Sequence, residues 1–227
     1  MIDAPPPVQR IAPIRAVHGR SYYQYRLARR PLGGALKRAF DMIAAATALA
    51  VLSPMLFVVA LLVRAETPGP ALFRQKRTGF RGRAFDVIKF RTMISMDDGR
   101  RIRQAGKGDA RVTTLGKFLR RSSIDELPQL INVLRGDMSL VGPRPHAIAH
   151  DSWFFGVNNE YPRRFTARPG ITGAAQVAGA RGRTDTPEKA EERLRLDLAY
   201  VDNWSMGRDL AILLRTVLVV LVGRNAV

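Results

Sequence analysis

Two adjacent acidic residues, Asp125 and Glu126, lie in a part of the chain that is rich in arginine, with Arg120 before the pair and Arg144 after it. One carboxylate in such surroundings can attack phosphorus to form an acyl phosphate, while the other holds a divalent cation that bridges phosphate groups. Adjacent acidic residues at the start of a helix also occur simply because they complement the helix dipole. The spacing alone therefore leaves both interpretations open.

The backbone around Arg144 is restricted. Pro143 and Pro145 flank this arginine, and each proline limits the conformation of the chain beside it. A guanidinium held in this way can bind phosphate through two parallel hydrogen bonds. A structural turn is the alternative explanation.

Three other motifs have weaker chemical content. The loop Pro169–Gly173 can bring backbone amides close to a nucleotide phosphate or simply turn the chain. Asp197 is either a second metal or substrate contact or an ordinary solvated residue on a helix. His146 and His150 have the spacing of a metal pair, but no third ligand accompanies them, and we interpret them as non-functional.

Short secondary-structure elements must position these residues. The sequence predicts a short strand or hairpin at Ala71–Arg77, a turn at Gly79–Gly82 and, from alternating apolar residues, a strand at Ala84–Phe90. Helical patterns predict helices at Thr114–Arg121, Leu127–Leu134 and Glu188–Asn203. Glu126 with Ser122 or Ser123 resembles a capping box before the second helix, which ends at Gly136. The sequence thus predicts an α+β fold that is predominantly helical.

An apolar segment precedes these elements. Ala39–Val63 contains a single charged residue, Asp41, and its length of about 20 to 25 residues suits a bilayer core better than a soluble core helix. Ser53 and Pro54 lie in its middle, where proline removes a backbone donor and should kink the helix sharply, and the Ser53 hydroxyl can satisfy a freed carbonyl. Basic residues flank both ends, as expected if both ends are cytoplasmic. This pattern leaves a re-entrant hairpin and a kinked transmembrane helix equally open.

The charge of the chain requires an anionic partner. The 227 residues have a formal net charge of +18, and Arg74–Arg121 contains fifteen Lys and Arg against four Asp. Nucleic acid, an anionic membrane surface and phosphorylated substrates are the candidates, and the apolar segment favours the last two. The absence of cysteine excludes disulfides, thiolate metal sites and a thiol nucleophile.

The string Ser123–Pro145 (SIDELPQLINVLRGDMSLVGPRP) closely resembles the signature of the bacterial sugar transferase family, the monotopic phosphoglycosyl transferases that start glycan assembly on undecaprenyl phosphate. Further stretches agree with the family in the same order: Lys37–Asp41 with Ser53-Pro54, Lys89–Met93, Arg168–Gly173 with Gln176-Val177, and Asp197–Val201 with Trp204-Ser205. The resemblance extends from about Leu36 to the C-terminus. It therefore covers all of the motifs above.

The resemblance implies a two-step reaction. Asp125 corresponds to the nucleophile that attacks the sugar-bearing phosphate of a UDP-sugar, and Glu126 corresponds to the residue that helps to bind Mg²⁺, with Asp125 beside it. The polyprenyl phosphate then attacks the aspartyl-phosphosugar intermediate. Other matched positions are the phosphate-binding residues Lys89, Arg91, Arg120 and Arg144, the nucleotide-sugar loop Arg168, Pro169, Gly170, Thr172, Gly173 and Gln176, and the membrane helix break Ser53 and Pro54.

The resemblance also implies an organisation and a location. We expect a disordered basic arm over residues 1–35, a re-entrant membrane hairpin over 36–66, and a catalytic domain over 67–227 on the cytoplasmic face of the bacterial inner membrane. The domain ends in Asp209–Val222, which is shorter than a span and carries Arg215, so that it suits an interfacial or a core helix. Initiation of exopolysaccharide or related glycan assembly is the expected process, and the sequence leaves the pathway open. The sequence leaves the sugar and the oligomeric state open, a homodimer included.

Two other functions are weighed against this one. A basic membrane-surface scaffold without activity would bind membranes without turnover, but the intact acidic pair with Lys89 and Arg144 argues against it. A nucleic-acid-binding protein would bind with an affinity that falls steeply with salt. That function leaves the membrane segment and the acidic pair unexplained, and we expect no nucleic-acid partner.

Overall fold

The computed structural model describes residues 30–94, 108–180, 182, 184 and 186–222, so that residues 1–29 of the predicted basic arm lie outside the described residues. Within the described residues, the helices are α1 (Gly34–Glu66), α2 (Thr114–Ser122), α3 (Gln129–Arg135), α4 (Ile148–Val157), α5 (Ala174–Val177), α6 (Pro187–Asp202) and α7 (Met206–Val222). The strands are β1 (Leu72–Thr78), β2 (Ala84–Phe90), β3 (Ser139–Val141) and β4 (Gly170–Thr172). The prediction of a mostly helical fold with some strand is confirmed.

The strands form two small sheets. β1 and β2 are antiparallel and pair from Leu72 opposite Phe90 to Thr78 opposite Ala84, which confirms the predicted hairpin. β3 and β4 are parallel, with Ser139 beside Gly170. The second sheet joins two segments that are distant in sequence, and local patterns did not reveal it.

The start of α3 differs from the prediction. A separate 3-10 turn, Ile124–Glu126, lies between α2 and α3, and the Ser123 side chain forms no cap hydrogen bond to it. The Ser122 hydroxyl donates back to the Phe118 carbonyl at 2.9 Å. The predicted capping box is therefore wrong, because the Glu126 carboxylate is bound by cationic side chains instead.

The helix α1 continues through Pro54, so that the break predicted at Ser53 and Pro54 does not interrupt it. Its 33 residues correspond to about 50 Å of helix. Proline cannot donate to the carbonyl four residues earlier, which is that of Ala50. The Ser53 hydroxyl donates to this carbonyl at 2.9 Å, as the sequence predicted. The polar group that Pro54 leaves free is thus satisfied within the helix, at a depth where a bilayer offers no water.

Most of α1 faces away from the protein. It is the one helix in the described part of the chain that is long and apolar enough to cross a membrane, and only 11% of its most apolar stretch is buried. Such low burial is unlike that of a core helix in a soluble protein. Large apolar side chains such as Ile43, Val51 and Phe57 are about two-thirds exposed or more. An apolar solvent is therefore needed around this helix.

Both ends of α1 are fixed to the same domain. Near its start, the Asp41 carboxylate accepts a hydrogen bond from the Leu140 backbone N–H at 3.1 Å. At its end, the Glu66 carboxylate accepts from the Leu115 backbone N–H at 2.9 Å. A buried ion pair of Lys37 with Asp209 also joins α1 to α7.

The helix α7 has two different faces. Ile212 is buried in the main hydrophobic core, where it joins residues of α1, α3 and β3. Leu210, Leu214, Val217 and Leu218 lie on the opposite face and are 45 to 69% exposed. Their spacing of three and four residues makes a continuous apolar stripe. This arrangement favours the interfacial helix over the core helix of the sequence prediction.

Candidate active site

A tight turn after α2 presents the acidic pair. The N-cap of α2 is Thr113, whose hydroxyl accepts from the Gly116 backbone N–H at 2.9 Å. At the other end, Ser123 adopts a left-handed conformation with φ 61°, which costs a non-glycine residue about 1–2 kcal/mol. The chain is thereby redirected into the 3-10 turn Ile124–Glu126. Asp125 and Glu126 are 9% and 8% exposed as a result.

Two cations bind Glu126. Lys89 Nζ donates to Glu126 Oε1 at 2.8 Å, and Arg144 Nη1 donates to Oε2 at 2.9 Å. A second hydrogen bond from Arg144 Nη2 to Oε1 makes the arginine contact bidentate. Lys89 and Arg144, two of the predicted phosphate-binding residues, thus lie against the acidic pair, and Arg144 binds a carboxylate here with the geometry that also suits phosphate.

Asp125 is in a different state. Among the residues that the structure describes, none forms a hydrogen bond or an ion pair with its carboxylate. Burial, and next the charge of Glu126, raise the pKa of Asp125 to about 6, against the opposing charges of Lys89, Arg120 and Arg144. Arg120 thus lies close enough to act on Asp125 electrostatically. Asp125 is a buried carboxylate that is ionised at neutral pH and has no partner.

The pKa of Glu126 moves in the opposite direction. Burial disfavours its charged form, but the charges and hydrogen bonds of Arg144 and Lys89 outweigh burial and hold the pKa well below its usual range. The charge of Glu126 in turn raises the pKa of Arg144. Burial lowers the pKa of Lys89 despite the attraction of Glu126. Perturbations of this kind, in opposite directions on neighbouring carboxylates, are typical of catalytic sites.

An asparagine of α3 holds the strand that carries Lys89. Asn132 Oδ1 accepts from the Ile88 backbone N–H at 3.0 Å, and its Nδ2 donates to the Asp86 carbonyl at 2.8 Å. The side chain therefore takes the place of a neighbouring strand on the free edge of β2. The sequence analysis missed this residue, although an asparagine inside an apolar helix is a signal that could have identified it.

Two further arginines hold the segment around Arg144. Arg164 Nη2 donates to the Arg144 carbonyl at 2.7 Å, and Arg77 Nη1 donates to the Pro145 carbonyl at 3.1 Å. Arg164 also forms a buried ion pair with Asp197 at 2.8 Å. Asp197 is therefore buried behind the site in this ion pair, and it does not lie on a solvated surface.

The histidines of the sequence analysis lie apart from the acidic pair. His146 is buried, stacks on Phe154 with ring centroids 4.0 Å apart, and shares a hydrogen bond with the Tyr161 hydroxyl at 3.0 Å. Burial and the surrounding arginines hold the pKa of His146 well below its usual range. The neutral ring is thus part of a packed aromatic cluster.

The glycines of the predicted nucleotide-sugar loop pack against backbone. A Cβ atom on Gly170 would lie 2.1 Å from the Gly142 nitrogen, and one on Gly173 would lie 2.2 Å from the Gly142 oxygen. The Pro169 carbonyl accepts from the Ser139 backbone N–H at 2.9 Å. These contacts support the structural interpretation of the loop, which brings β4 beside β3 just before the Arg144 segment.

Arg168 and Arg91 bind backbone carbonyls at the ends of helices. Arg168 Nε donates to the Gly136 carbonyl at 2.8 Å, just after α3. Arg91 Nη2 donates to the Thr67 carbonyl at 2.6 Å and to the Val63 carbonyl at 3.3 Å, at the end of α1. The structure therefore does not bring Arg91 and Arg168 to the acidic pair, because backbone carbonyls occupy these guanidinium groups.

A pocket of about 190 Å³ opens beside the acidic pair. Glu126 and Arg144 line one part of it, together with two residues of the predicted nucleotide-sugar loop, Thr172 and Gln176. Gln176 Nε2 donates to the Ile171 carbonyl at 3.3 Å, whereas its buried Oε1 has no partner among the described residues. The rest of the lining is largely apolar and includes residues of α7.

The acidic pair has donor atoms that suit Mg²⁺. Among the described residues there is no group of three or more His, Cys, Asp or Glu side chains that could hold a metal ion alone. Mg²⁺, however, is usually bound through one or two carboxylates together with substrate phosphates and waters. The partnerless Asp125 carboxylate and the Glu126 carboxylate beside it fit that requirement.

The similarities of this chain to known proteins agree with these features. A family model described as bacterial sugar transferase matches residues 32–223. A UDP-glucose:undecaprenyl-phosphate glucose-1-phosphate transferase of Caulobacter vibrioides is 53% identical over 190 residues, which cover 84% of this chain and 71% of the relative. The protein of the same name from Escherichia coli is 48% identical, over 82% of this chain and 41% of its own length. Exopolysaccharide production protein PSS of Rhizobium leguminosarum is 48% identical, over 80% and 93%.

Proposed function

Because the chain belongs to the bacterial sugar transferase family, we propose that it is a phosphoglycosyl transferase that moves a sugar-1-phosphate from a UDP-sugar to undecaprenyl phosphate. UMP is released, and the product starts the assembly of an exopolysaccharide. The names of the Caulobacter and Escherichia relatives support glucose as the sugar, and the name of the Rhizobium relative supports the process. The observation that carries the proposal is the partnerless carboxylate of Asp125 beside a Glu126 that binds two cations.

The first step forms a covalent intermediate on Asp125. A carboxylate oxygen attacks the phosphorus that bears the sugar, and the bond from that phosphorus to the bridging oxygen breaks, so that UMP leaves with the bonding electrons. Asp125 suits this role better than Glu126 because its raised pKa makes it the more basic carboxylate. Glu126 is a poor nucleophile because Lys89 and Arg144 hold its oxygens.

The second step transfers the phosphosugar to the carrier. A phosphate oxygen of undecaprenyl phosphate attacks the same phosphorus, and the bond to the Asp125 oxygen breaks, which restores the carboxylate. Lys89 and Arg144 stabilise the charge that accumulates on the phosphate oxygens, a contribution that dominates phosphoryl-transfer catalysis.

Asp125 and Glu126 would hold Mg²⁺ together with the diphosphate of the donor, and the ion would supply charge neutralisation and orientation of the leaving phosphate. In the absence of substrate, Lys89 and Arg144 balance the charge of the pair.

The attachment of α1 supports a re-entrant membrane topology. A spanning helix would carry its ends to opposite sides of a hydrocarbon core about 30 Å thick. Here the Asp41 and Glu66 contacts fix both ends of α1 to one domain. A re-entrant α1 that stays in one leaflet, with the domain on the cytoplasmic face of the inner membrane, would bring the acidic pair to the interface where the carrier phosphate lies.

The reaction can be tested with purified protein and a panel of UDP-sugars. We expect UMP release with UDP-glucose in the presence of undecaprenyl phosphate and Mg²⁺, and its loss in Asp125→Asn. The aspartyl intermediate is tested by the exchange of labelled UMP into UDP-glucose without carrier. Membrane binding by a wild-type protein that releases no UMP from any donor would instead favour an inactive scaffold.

A further inference from the structure

The pocket beside the acidic pair has two chemically different ends. Glu126 and Arg144 lie at the polar end, where the guanidinium provides a phosphate contact. Val177 of α5 and Val219 and Val220 of α7 contribute to the apolar end. A ligand that carries a phosphate at the end of a hydrocarbon chain matches this division.

The size of the pocket argues for the end of a long ligand. Sites that enclose a drug-sized molecule usually measure about 300–1,000 Å³. The volume here is about 190 Å³, which is too small for a whole nucleotide sugar. A chain whose remaining length continues into another apolar environment needs no larger enclosure.

The apolar end of the pocket lies beside the C-terminal end of the exposed stripe of α7. Leu218, the last residue of that stripe, is 60% exposed, and the next two residues of the helix line the pocket. Thr216, which also lines the pocket, shares a hydrogen bond of 2.7 Å with Thr172 of β4. This bond fixes α7 against the sheet that leads to Arg144. Within one helical turn, α7 therefore connects the membrane-facing surface to the acidic pair.

We propose that this pocket binds the phosphate end and the first isoprene units of the polyprenyl carrier, with Val219 and Val220 at the end of α7 as the wall past which the chain enters from the bilayer. The inference rests on the proposed transferase function and assigns a site to its second substrate. Arg144 contacts the phosphate of the carrier, while Val219 and Val220 contact its first apolar units. The UDP-sugar reaches Asp125 from outside this pocket.

A kinetic experiment separates the two substrates. Val220→Trp fills the apolar end, and Val217→Trp places the same side chain on the exposed face of the same helix as a matched control. For Val220→Trp we expect the KM for undecaprenyl phosphate to rise about tenfold. This change should be larger than any change in the rate of UMP exchange into UDP-glucose, which needs no carrier. Val217→Trp should leave both measurements near those of the wild type.

A binding experiment avoids dependence on turnover and on the tryptophan variant folding. The chain has no cysteine, so Val220→Cys and Val217→Cys each introduce a single reactive thiol. In nanodiscs, undecaprenyl phosphate should slow maleimide labelling of Val220→Cys about tenfold and leave Val217→Cys unaffected. UDP-glucose, or an equal amount of phosphatidylglycerol, should protect neither position.

Each alternative result has a defined meaning. Protection of Val220→Cys by UDP-glucose or by phosphatidylglycerol overturns the assignment to the carrier, as do equal carrier KM values in Val220→Trp and Val217→Trp. If wild-type protein shows no UMP exchange while undecaprenyl phosphate still protects Val220→Cys, the proposed reaction is rejected and the carrier site is upheld.

Discussion

Replacement of Asp125 by asparagine should abolish turnover and yet stabilise the protein. Burial and the charge of Glu126 raise the pKa of Asp125 from 3.8 to about 6, so that ionisation is less favourable in the folded than in the unfolded protein. At about 1.4 kcal/mol per pKa unit, the difference amounts to roughly 3 kcal/mol. This contribution to the free energy of unfolding of the wild type is therefore fully present below about pH 4 and is lost as the pH rises through about 6. Asparagine cannot ionise and avoids the loss.

The assay is thermal unfolding in detergent with EDTA, followed through the fluorescence of the two tryptophans. For a chain of this size about 3 kcal/mol corresponds to an increase in Tm of roughly 6–12 °C at about pH 7.5, and the difference should vanish near pH 4. Glu126→Gln is the control with the opposite sign, because it leaves Lys89 and Arg144 without their partner. Two results would refute the electrostatic argument. The Asp125→Asn variant could be no more stable than the wild type at neutral pH, or its increase in Tm over the wild type could be the same at about pH 7.5 and near pH 4.

Three further perturbations test other parts of the site. The rate of UMP exchange at low substrate concentration should fall as the pH is lowered through about 6, because Asp125 must be ionised to attack, and a flat profile down to about pH 5 would contradict this. Asn132→Ala should lower the free energy of unfolding by about 1–3 kcal/mol and slow turnover, since the buried Ile88 N–H and the part-buried Asp86 carbonyl of β2 lose their partner. Denaturant titration measures the first effect, and unchanged stability would show that other contacts hold β2. Arg164→Gln should lower the free energy of unfolding by about 3–5 kcal/mol because it leaves the buried Asp197 carboxylate unpaired. Adding Asp197→Asn should recover part of this loss, as measured by denaturant titration. A double variant that is no more stable than Arg164→Gln alone would count against the ion pair.

The sequence predicted what depends on local pattern. Alternation of apolar residues located β2, and the turn at Gly79–Gly82 placed β1 before it. The apolar run around Pro54 located α1 together with the hydroxyl that satisfies its free carbonyl. The acidic pair was recognised from its composition and from family resemblance, and the structure brings Lys89 and Arg144 to it. In each case the signal lies within a few residues of the feature that it predicts.

The sequence failed where a role depends on a distant partner. Arg91 and Arg168 have the charge that phosphate requires, but long guanidinium side chains also satisfy carbonyls at helix ends, and only the fold shows which carbonyls are within reach. The parallel pairing of β3 with β4 likewise depends on contacts between segments about thirty residues apart. Asn132 appeared to be one more residue of an apolar helix until the edge of β2 was placed beside it.

The two neighbouring carboxylates differ because the cations reach only one of them. Lys89 and Arg144 approach from β2 and from the Pro143–Pro145 segment, and both bind Glu126. Lys89 and Arg144 act on Asp125 through their charges and form no hydrogen bond with it, so that burial has the largest effect on its pKa. A phosphate that enters between these groups would accept hydrogen bonds from Lys89 and Arg144, the same donors that bind Glu126. Neither cation would become exposed to water in this exchange. Lys89 and Arg144 thus exchange one anionic partner for another, and the reorganisation of charge stays small. Asp125 remains available for attack.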